Sequence, residues 1–413
     1  MSENATNKSS GRDKGRKDLE PAVVSLYEKA EKIYPHEATG RFQSLRKVVV
    51  WVLMGIFYVL PWLAWDGRQL LLFDLPARKF HVFGLTFWPQ DFILLTGLLI
   101  IAALSLFFFT ALAGRLWCGY ACPQTVWTEV YFFLERLTEG PARRRRKLDA
   151  APWSREKVLR KGAKQVLFIG FALWTGFTFV GYFTPIRELA VKVVELDLGF
   201  WEAFWILFYG LATYGNAGYL REQVCKYMCP YARFQGAMFD RDTLIISYDV
   251  GRGEPRGARS RKADRDEIDL GDCIDCKMCV QVCPTGIDIR QGLQYECIAC
   301  GACIDACDEV MDKMEYPRGL VRYTTQNAVE GRPTHVFRFR TFIYAALLLV
   351  LTGLWGYGVA NRPVLTVDVI RDRNALYRIE DPRKIENSYT LRVINRTEQA
   401  REFRISATGL DDL

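Results

Sequence analysis

Apolar residues along this chain gather in long blocks separated by charged stretches, the pattern of membrane-crossing helices rather than of a soluble core. Five blocks stand out, at about 48–65, 92–113, 166–183, 200–219 and 341–360. Each is near the roughly 20 residues that a bilayer core demands. Trp51, Trp62 and Trp65 suit interfacial anchors of the first block, and the fourth is less uniformly apolar and rich in glycine. Beyond the fifth the period changes. Leu365, Val367 and Val369 alternate as in a strand, as do Tyr389, Leu391 and Val393, then Phe403 and Ile405. This suggests a β-sandwich, but an immunoglobulin-type domain takes about 100 residues. The stretch 361–413 is shorter, so either the chain is cut short or the sandwich is incomplete.

The chain of 413 residues is 50% hydrophobic and carries a net charge of +8. That charge is concentrated in particular loops, so it reads as membrane topology rather than nucleic-acid binding. The arm at 1–46 is polar and basic, reading as disordered with a short amphipathic piece around 24–33. The loop after the second block holds Arg143, Arg144, Arg145, Arg146 and Lys147, a topology determinant and lipid-headgroup contact. The loops between blocks one and two, and three and four, are poorer in Lys and Arg. The positive-inside rule then places the N-terminus in the cytoplasm and exports 361–413. His36, His81 and His335 are the three histidines. None lies inside an apolar block, which excludes a bis-histidine haem within the bundle, and His81 reads as a surface residue. Asn395 opens a glycosylation sequon by pattern only.

The densest chemistry lies between the fourth and fifth blocks. Cys273, Cys276, Cys279 and Cys283 form one C-x2-C-x2-C-x3-C run, and Cys297, Cys300, Cys303 and Cys307 form a second. This is the two-cluster bacterial ferredoxin pattern, in which the fourth cysteine of each run serves the other cluster. Cys273, Cys276, Cys279 and Cys307 are therefore expected around one [4Fe–4S] cluster. Cys297, Cys300, Cys303 and Cys283 are expected around the other. Pro284 stiffens the exit from the first run, and Gly286 and Gly301 allow close backbone approach. Disulfides fit poorly, since no hydrophobic region near the N-terminus is expected to serve as a cleaved signal and the insert is expected to face a reducing compartment. Zinc ribbons use paired C-x2-C units, not these triplets with a trailing fourth.

Four cysteines remain, in two matching motifs. Cys118 and Cys122-Pro123 follow the second block, and Cys225 and Cys229-Pro230 follow the fourth. Each C-x3-C-P leads into an apolar-aromatic segment, 125–137 or 231–239, expected as an interfacial helix. Proline favours the first helical turn, which puts Cys122 and Cys229 near helix N-termini where the dipole lowers a thiol pKa. Four such thiols in a shared site suit Cu(I) or a further iron–sulfur centre, with Met228 as an extra thioether. The bland alternative is four buried structural thiols closing an internal repeat.

The stretches 117–127 (WCGYACPQTVW), 221–235 (REQVCKYMCPYARFQ), 251–257 (GRGEPRG) and 311–319 (MDKMEYPRG) together resemble the cytochrome c oxidase accessory proteins of the CcoG/FixG/RdxA family, membrane-bound polyferredoxins. The resemblance implies Cu(II)-to-Cu(I) reduction in assembly of a cbb-type oxidase, and a C-terminal Ig-like domain. The fold expected is an α-helical polytopic membrane protein of about five transmembrane helices, with an inserted two-cluster ferredoxin-like domain and a short C-terminal β segment. Its parts are 1–46 (arm), 47–220 (four helices), 221–340 (cytoplasmic insert, core 265–315), 341–360 (fifth helix) and 361–413 (periplasmic segment). The home expected is the bacterial cytoplasmic membrane. Partners expected are lipid, copper ions and oxidase subunits or assembly factors, not nucleic acid. Two other readings stay open. The chain could be a quinol-linked ferredoxin serving a periplasmic protein, or a non-catalytic scaffold or redox sensor.

Overall fold

The computed structural model describes residues 32–261, 269–363, 365–371, 377–381, 384–396, 400 and 402–406. The amphipathic piece expected at 24–33 lies outside these apart from Lys32 and Ile33. From Tyr34 onward the chain forms one compact unit.

Helix α1 (Arg41–Val59) runs on through a 3-10 turn, Leu60–Trp62. Pro61 allows only that turn, and the chain then leaves as a short hairpin, β1 (Ala64–Trp65) with β2 (Arg68–Gln69). The first apolar block therefore ends at Trp62, and Trp65 belongs to a strand. Three antiparallel strands follow, β3 (Leu71–Asp74), β4 (Lys79–Val82) and β5 (Leu85–Phe87). His81 sits in β4 and is buried beside Thr86, with Arg68 against the ring. The expectation of a surface histidine is thus corrected: a centre strand of a small sheet encloses it.

Helix α2 (Phe92–Ala113) leads to the single turn α3 (Leu116–Tyr120), then α4 (Pro123–Glu139), α5 (Ala142–Ala150) and α6 (Arg155–Val180). After α7 (Ile186–Glu195), α8 (Phe200–Thr213) passes into a π-helical segment, Tyr214–Leu220. Among the described residues four helices are long and apolar enough to cross a membrane: Arg41–Trp62, Pro89–Ala113, Arg155–Val180 and Phe339–Ala360. The chain is a membrane protein. The fourth expected block, 200–219, is this α8–π combination, shorter as a regular helix than its apolar length suggests. It packs tightly on α6, because Gly176 lets the backbones meet; a Cβ there would lie 2.2 Å from the Ile206 carbonyl oxygen.

Helices α9 (Pro230–Ala237) and α10 (Val250–Gly253) flank strand β6 (Ile245–Tyr248). Strand β6 pairs antiparallel with β7 (Val321–Thr324), so the two strands close the cysteine-rich insert at its base. Between them lie α11 (Met278–Gln281) and α12 (Ala302–Met314). The insert's core joins Ile246, Ile289, Ile304, Met311, Leu320 and Val321 to the buried cysteines. It docks on α1: Asp305 accepts the backbone N–H groups of Phe42 (3.2 Å) and Gln43 (2.7 Å), a cap supplied from another part of the chain. After α13 (Gln326–Val329), helix α14 (Phe339–Ala360) packs along α2, where the Trp355 ring donates to the Leu94 carbonyl at 2.8 Å.

The tail is β, as the alternation predicts. Strand β8 (Leu365–Arg371) pairs with β11 (Tyr389–Asn395), setting Val367 opposite Val393 and Val369 opposite Leu391. Strands β9 (Arg378–Asp381) and β10 (Lys384–Glu386) pair between them. The alternation at Phe403 and Ile405 forms no strand among the described residues. At its inner end the tail is tied to the loop before α2, where Asp91 takes Arg396 at 3.0 Å and Arg362 at 3.4 Å.

Candidate metal centres

The twelve cysteines are all free thiols and fall into three places. Cys273, Cys276, Cys279 and Cys307 line one hollow of the insert with Tyr248, Met311 and Leu320. Cys283, Cys297, Cys300 and Cys303 line a second, with Cys279 on the wall between. Local geometry explains the crossing. Ala299 and Gly301 adopt positive φ, which curls the 297–303 run around its hollow, while α12 carries Cys307 one turn further to the neighbouring hollow. Burial raises Cys279 to about 11 and Cys297 and Cys307 to about 12, and lifts Cys303 well above its ordinary value. Such thiols ionise when a metal replaces the proton.

The third place lies at the edge of the helical body. Cys122 is the N-cap of α4 and Cys229 the N-cap of α9, each followed by proline as the first helical residue. The two motifs converge: Cys118 feels the charges of Cys122, Cys225 and Cys229. The expected lowering of the thiol pKa at a helix N-terminus does not win for Cys122. Burial raises it, and the N–H groups of Gln124 and Thr125 only offset part of that. Cys118 is pushed up to about 12 and Cys225 to about 11 by the same burial. Cys118 donates to the Oε1 of Gln235 at 3.0 Å, and Gln235 is itself fully buried and donates to Thr110 at 3.2 Å. Met228 is exposed beside the site.

Among the described residues no three His, Cys, Asp or Glu side chains are set to hold one metal ion. Thiolates around a single tetrahedral ion at 2.3 Å stand only about 3.8 Å apart, a much tighter cage than a cluster needs. The eight insert thiols line two hollows, and the outer quartet gathers where the two C-x3-C-P motifs meet.

Several residues that position these sites carry no obvious motif. Gly119, inside the first C-x3-C-P, lies flat against the second hollow; a Cβ on it would stand 2.7 Å from the Ile298 carbonyl and 2.8 Å from that of Ala299. Arg115 is buried and donates to the carbonyls of Tyr295 and Ala232. Its charge reaches Cys118, Cys225 and Cys297, so it spans the outer quartet and the insert. Glu135 on α4 accepts from Arg145 at 2.5 Å and from both Nη atoms of Arg221 at 2.9 and 3.1 Å, with Lys164 at 3.7 Å. Arg221 stands just before the second motif, so this pairing pins one repeat to the other. The available signal was weak: Arg221 opens a stretch of family-like sequence, and Glu135 is a carboxylate on an otherwise apolar helical face.

Comparison with known proteins agrees with this layout. Residues 220–326 match a family described as a 4Fe-4S dicluster domain, and residues 95–141 one described as a 4Fe-4S binding domain. Residues 355–413 match the IG-like fold at the C-terminal of FixG. The nitrogen fixation protein FixG of Rhizobium meliloti is 38% identical over 96% of this chain and 84% of its own length. The chain belongs to the FixG/RdxA family. RdxB and RdxA of Cereibacter sphaeroides are 42% and 39% identical, over 94% and 93% of this chain and 84% of each relative. No solved structure matches. As a member of this family the chain is a membrane-associated iron–sulfur electron-transfer protein, with an Ig-like domain at its C-terminal end.

Proposed function

We propose that this FixG-family chain is a cupric reductase acting in assembly of a cbb-type cytochrome c oxidase. Cys273, Cys276, Cys279 and Cys307 hold one [4Fe–4S] cluster, and Cys283, Cys297, Cys300 and Cys303 hold the other. When bound, the clusters would supply one-electron carriers. Cys118, Cys122, Cys225 and Cys229 receive Cu(II) as substrate, and one electron converts it to Cu(I). Soft thiolates favour that product, and a pair of them satisfies Cu(I). The step moves no proton, in keeping with a quartet that has no histidine beside it in sequence.

The observation that carries this reading is the contact of Gly119 with Ile298 and Ala299. It sets the outer thiols directly against the loop holding Cys297 and Cys300, with no side chain between the two backbones. Arg115, held across the same seam, keeps positive charge between two thiol-rich sites. Glu135 and Arg221 hold the two motifs in register. In the same reading the insert and the basic loop at 143–147 face the cytoplasm of a bacterial inner membrane and the tail faces the periplasm, which the Lys/Arg distribution supports.

The test uses whole protein, purified without oxygen, reduced and then freed of reductant. Added Cu(II) should appear as Cu(I) in a chelator assay while the cluster absorbance returns to its oxidised form. Cys225→Ser and Cys229→Ser should keep their iron and lose the Cu(I) signal. Undiminished Cu(I) formation by those variants would remove the quartet from the reaction.

A further inference from the structure

A cavity of about 400 Å³ lies between α1 and α4, within the size range of small-molecule sites. Val50, Trp51, Val130, Phe133 and Leu137 make its apolar walls. The rings of Trp51 and Phe133 meet edge-on at 6.2 Å and are both exposed, on the rim of a helix apolar enough to enter a membrane. The cavity therefore opens toward lipid.

Its polar end is chemically specific. Two acids, Glu37 and Glu129, and two bases, Lys47 and Arg136, line it. Glu37 pairs with Lys47 at 3.2 Å and with Arg136 at 2.7 Å. Glu129 pairs with Arg46 at 2.7 Å, and its other oxygen accepts from Gln43 over a long 3.4 Å. The lining is balanced in charge, so it offers no surplus cation to a phosphate headgroup. It offers a mostly buried carboxylate oxygen with spare acceptor capacity, as a neutral hydroxyl ligand requires. Behind Glu129, Arg46 lies against the Cys300 thiol. Cavity, Glu129, Arg46 and the second hollow thus form one continuous line of side chains.

We propose that this cavity binds a membrane quinol and is the entry point for electrons. The inference rests on the electron-transfer reading only for where the electrons go. Oxidation of one quinol yields a quinone, two protons and two electrons. The electrons go singly to the two iron–sulfur clusters of the insert. The protons leave through the Glu129 carboxylate and through Glu37, half-exposed at the mouth of the same cavity. Arg46 beside Cys300 and Arg115 near Cys297 stabilise added negative charge there, which raises the potential toward the range a quinol can feed.

The experiment uses full-length holoprotein in detergent and a short-tailed photoreactive ubiquinone. Label should map to peptides of α1 and α4, and unlabelled quinone should compete it away. Leu137→Trp narrows the mouth from an exposed position and should weaken quinone binding by roughly tenfold or more. Glu129→Gln should keep quinone binding while slowing anaerobic bleaching of the clusters by short-tailed ubiquinol roughly tenfold. Label at another site, absence of competition, or phospholipid that quinone does not displace from the cavity would each overturn the proposal. Protein reduced chemically and then desalted should still reduce Cu(II) in both variants. That arm reads the copper reaction alone, so a failure there falls on the copper reading and not on the quinol site.

Discussion

Glu135 is the residue on which the outer thiol site most depends, and Glu135→Gln tests that dependence. Burial alone would raise its pKa, but Arg221, Arg145 and Lys164 overcome burial and hold the carboxyl at about 2, against an ordinary 4.5. That difference corresponds to about 3 kcal/mol of interaction favouring the charged form. It agrees with the roughly 3–5 kcal/mol lost when one partner of a buried ion pair is removed. Glutamine keeps the shape but leaves buried Arg145 and Arg221 without their carboxylate, while Lys164 keeps Glu139 at 2.8 Å. The loss should be local, because Arg221 precedes the second motif and its guanidinium is what fastens that motif to α4. Maleimide labelling of whole protein, read by mass spectrometry, reports it. A drop of about 3 kcal/mol in local opening should speed labelling of Cys225 and Cys229 by roughly a hundredfold. The eight insert cysteines should keep their native rates. The acid dependence follows in sign. A carboxyl held below its unfolded value stabilises fully above about pH 4.5, and that contribution fades as pH falls toward about 2. Protection of Cys225 should therefore be flat from neutral pH down to about 5 and decline below 4.5. Unchanged labelling in Glu135→Gln, or equal acceleration at all twelve cysteines, would refute the idea that this pairing anchors the site.

Three further outcomes follow. Gly119→Ala puts a methyl against two backbone carbonyls that cannot turn aside, and should cost about 1–3 kcal/mol; Gly162→Ala, with nothing near it, should be neutral or stabilising in the same thermal scan. Cys303→Ser should halve the iron content and erase the EPR signal of one cluster while the hollow at Cys273, Cys276, Cys279 and Cys307 keeps its own. Asp91→Asn leaves buried Arg396 without its carboxylate, and limited proteolysis should then release the β-rich tail markedly faster than in the parent protein.

What the sequence made legible follows from how local each signal is. Apolar length alone marks α1, α2, α6 and α14, because a bilayer imposes that length on any crossing helix. The ferredoxin runs are legible for the same reason: the ligand spacing is the structure. Where a helix's limits depend on partners, the text was silent. Helix α6 begins at Arg155, well before its apolar block, because Glu135 and Glu139 from α4 neutralise Lys164 and Lys161 in its polar first half. Its apolar residues alone could not report that. His81 looked like surface because its burial depends on strands on both sides of it.

The outer quartet lies between these extremes. Its spacing announced a repeat, but spacing within a motif says nothing about distance between motifs. Two C-x3-C-P segments more than a hundred residues apart meet through side chains that neither spacing announces. The Glu135–Arg221 contact joins the repeats, and the glycine between Cys118 and Cys122 admits the insert's backbone. A side chain at 119 would fold as readily on its own helix turn, since Gly119 has no positive φ to require glycine locally. Its smallness is needed by the neighbour, not by the turn. That places the reason for this glycine in the distance between two thiol sites, which is the quantity an electron-transfer protein has to control.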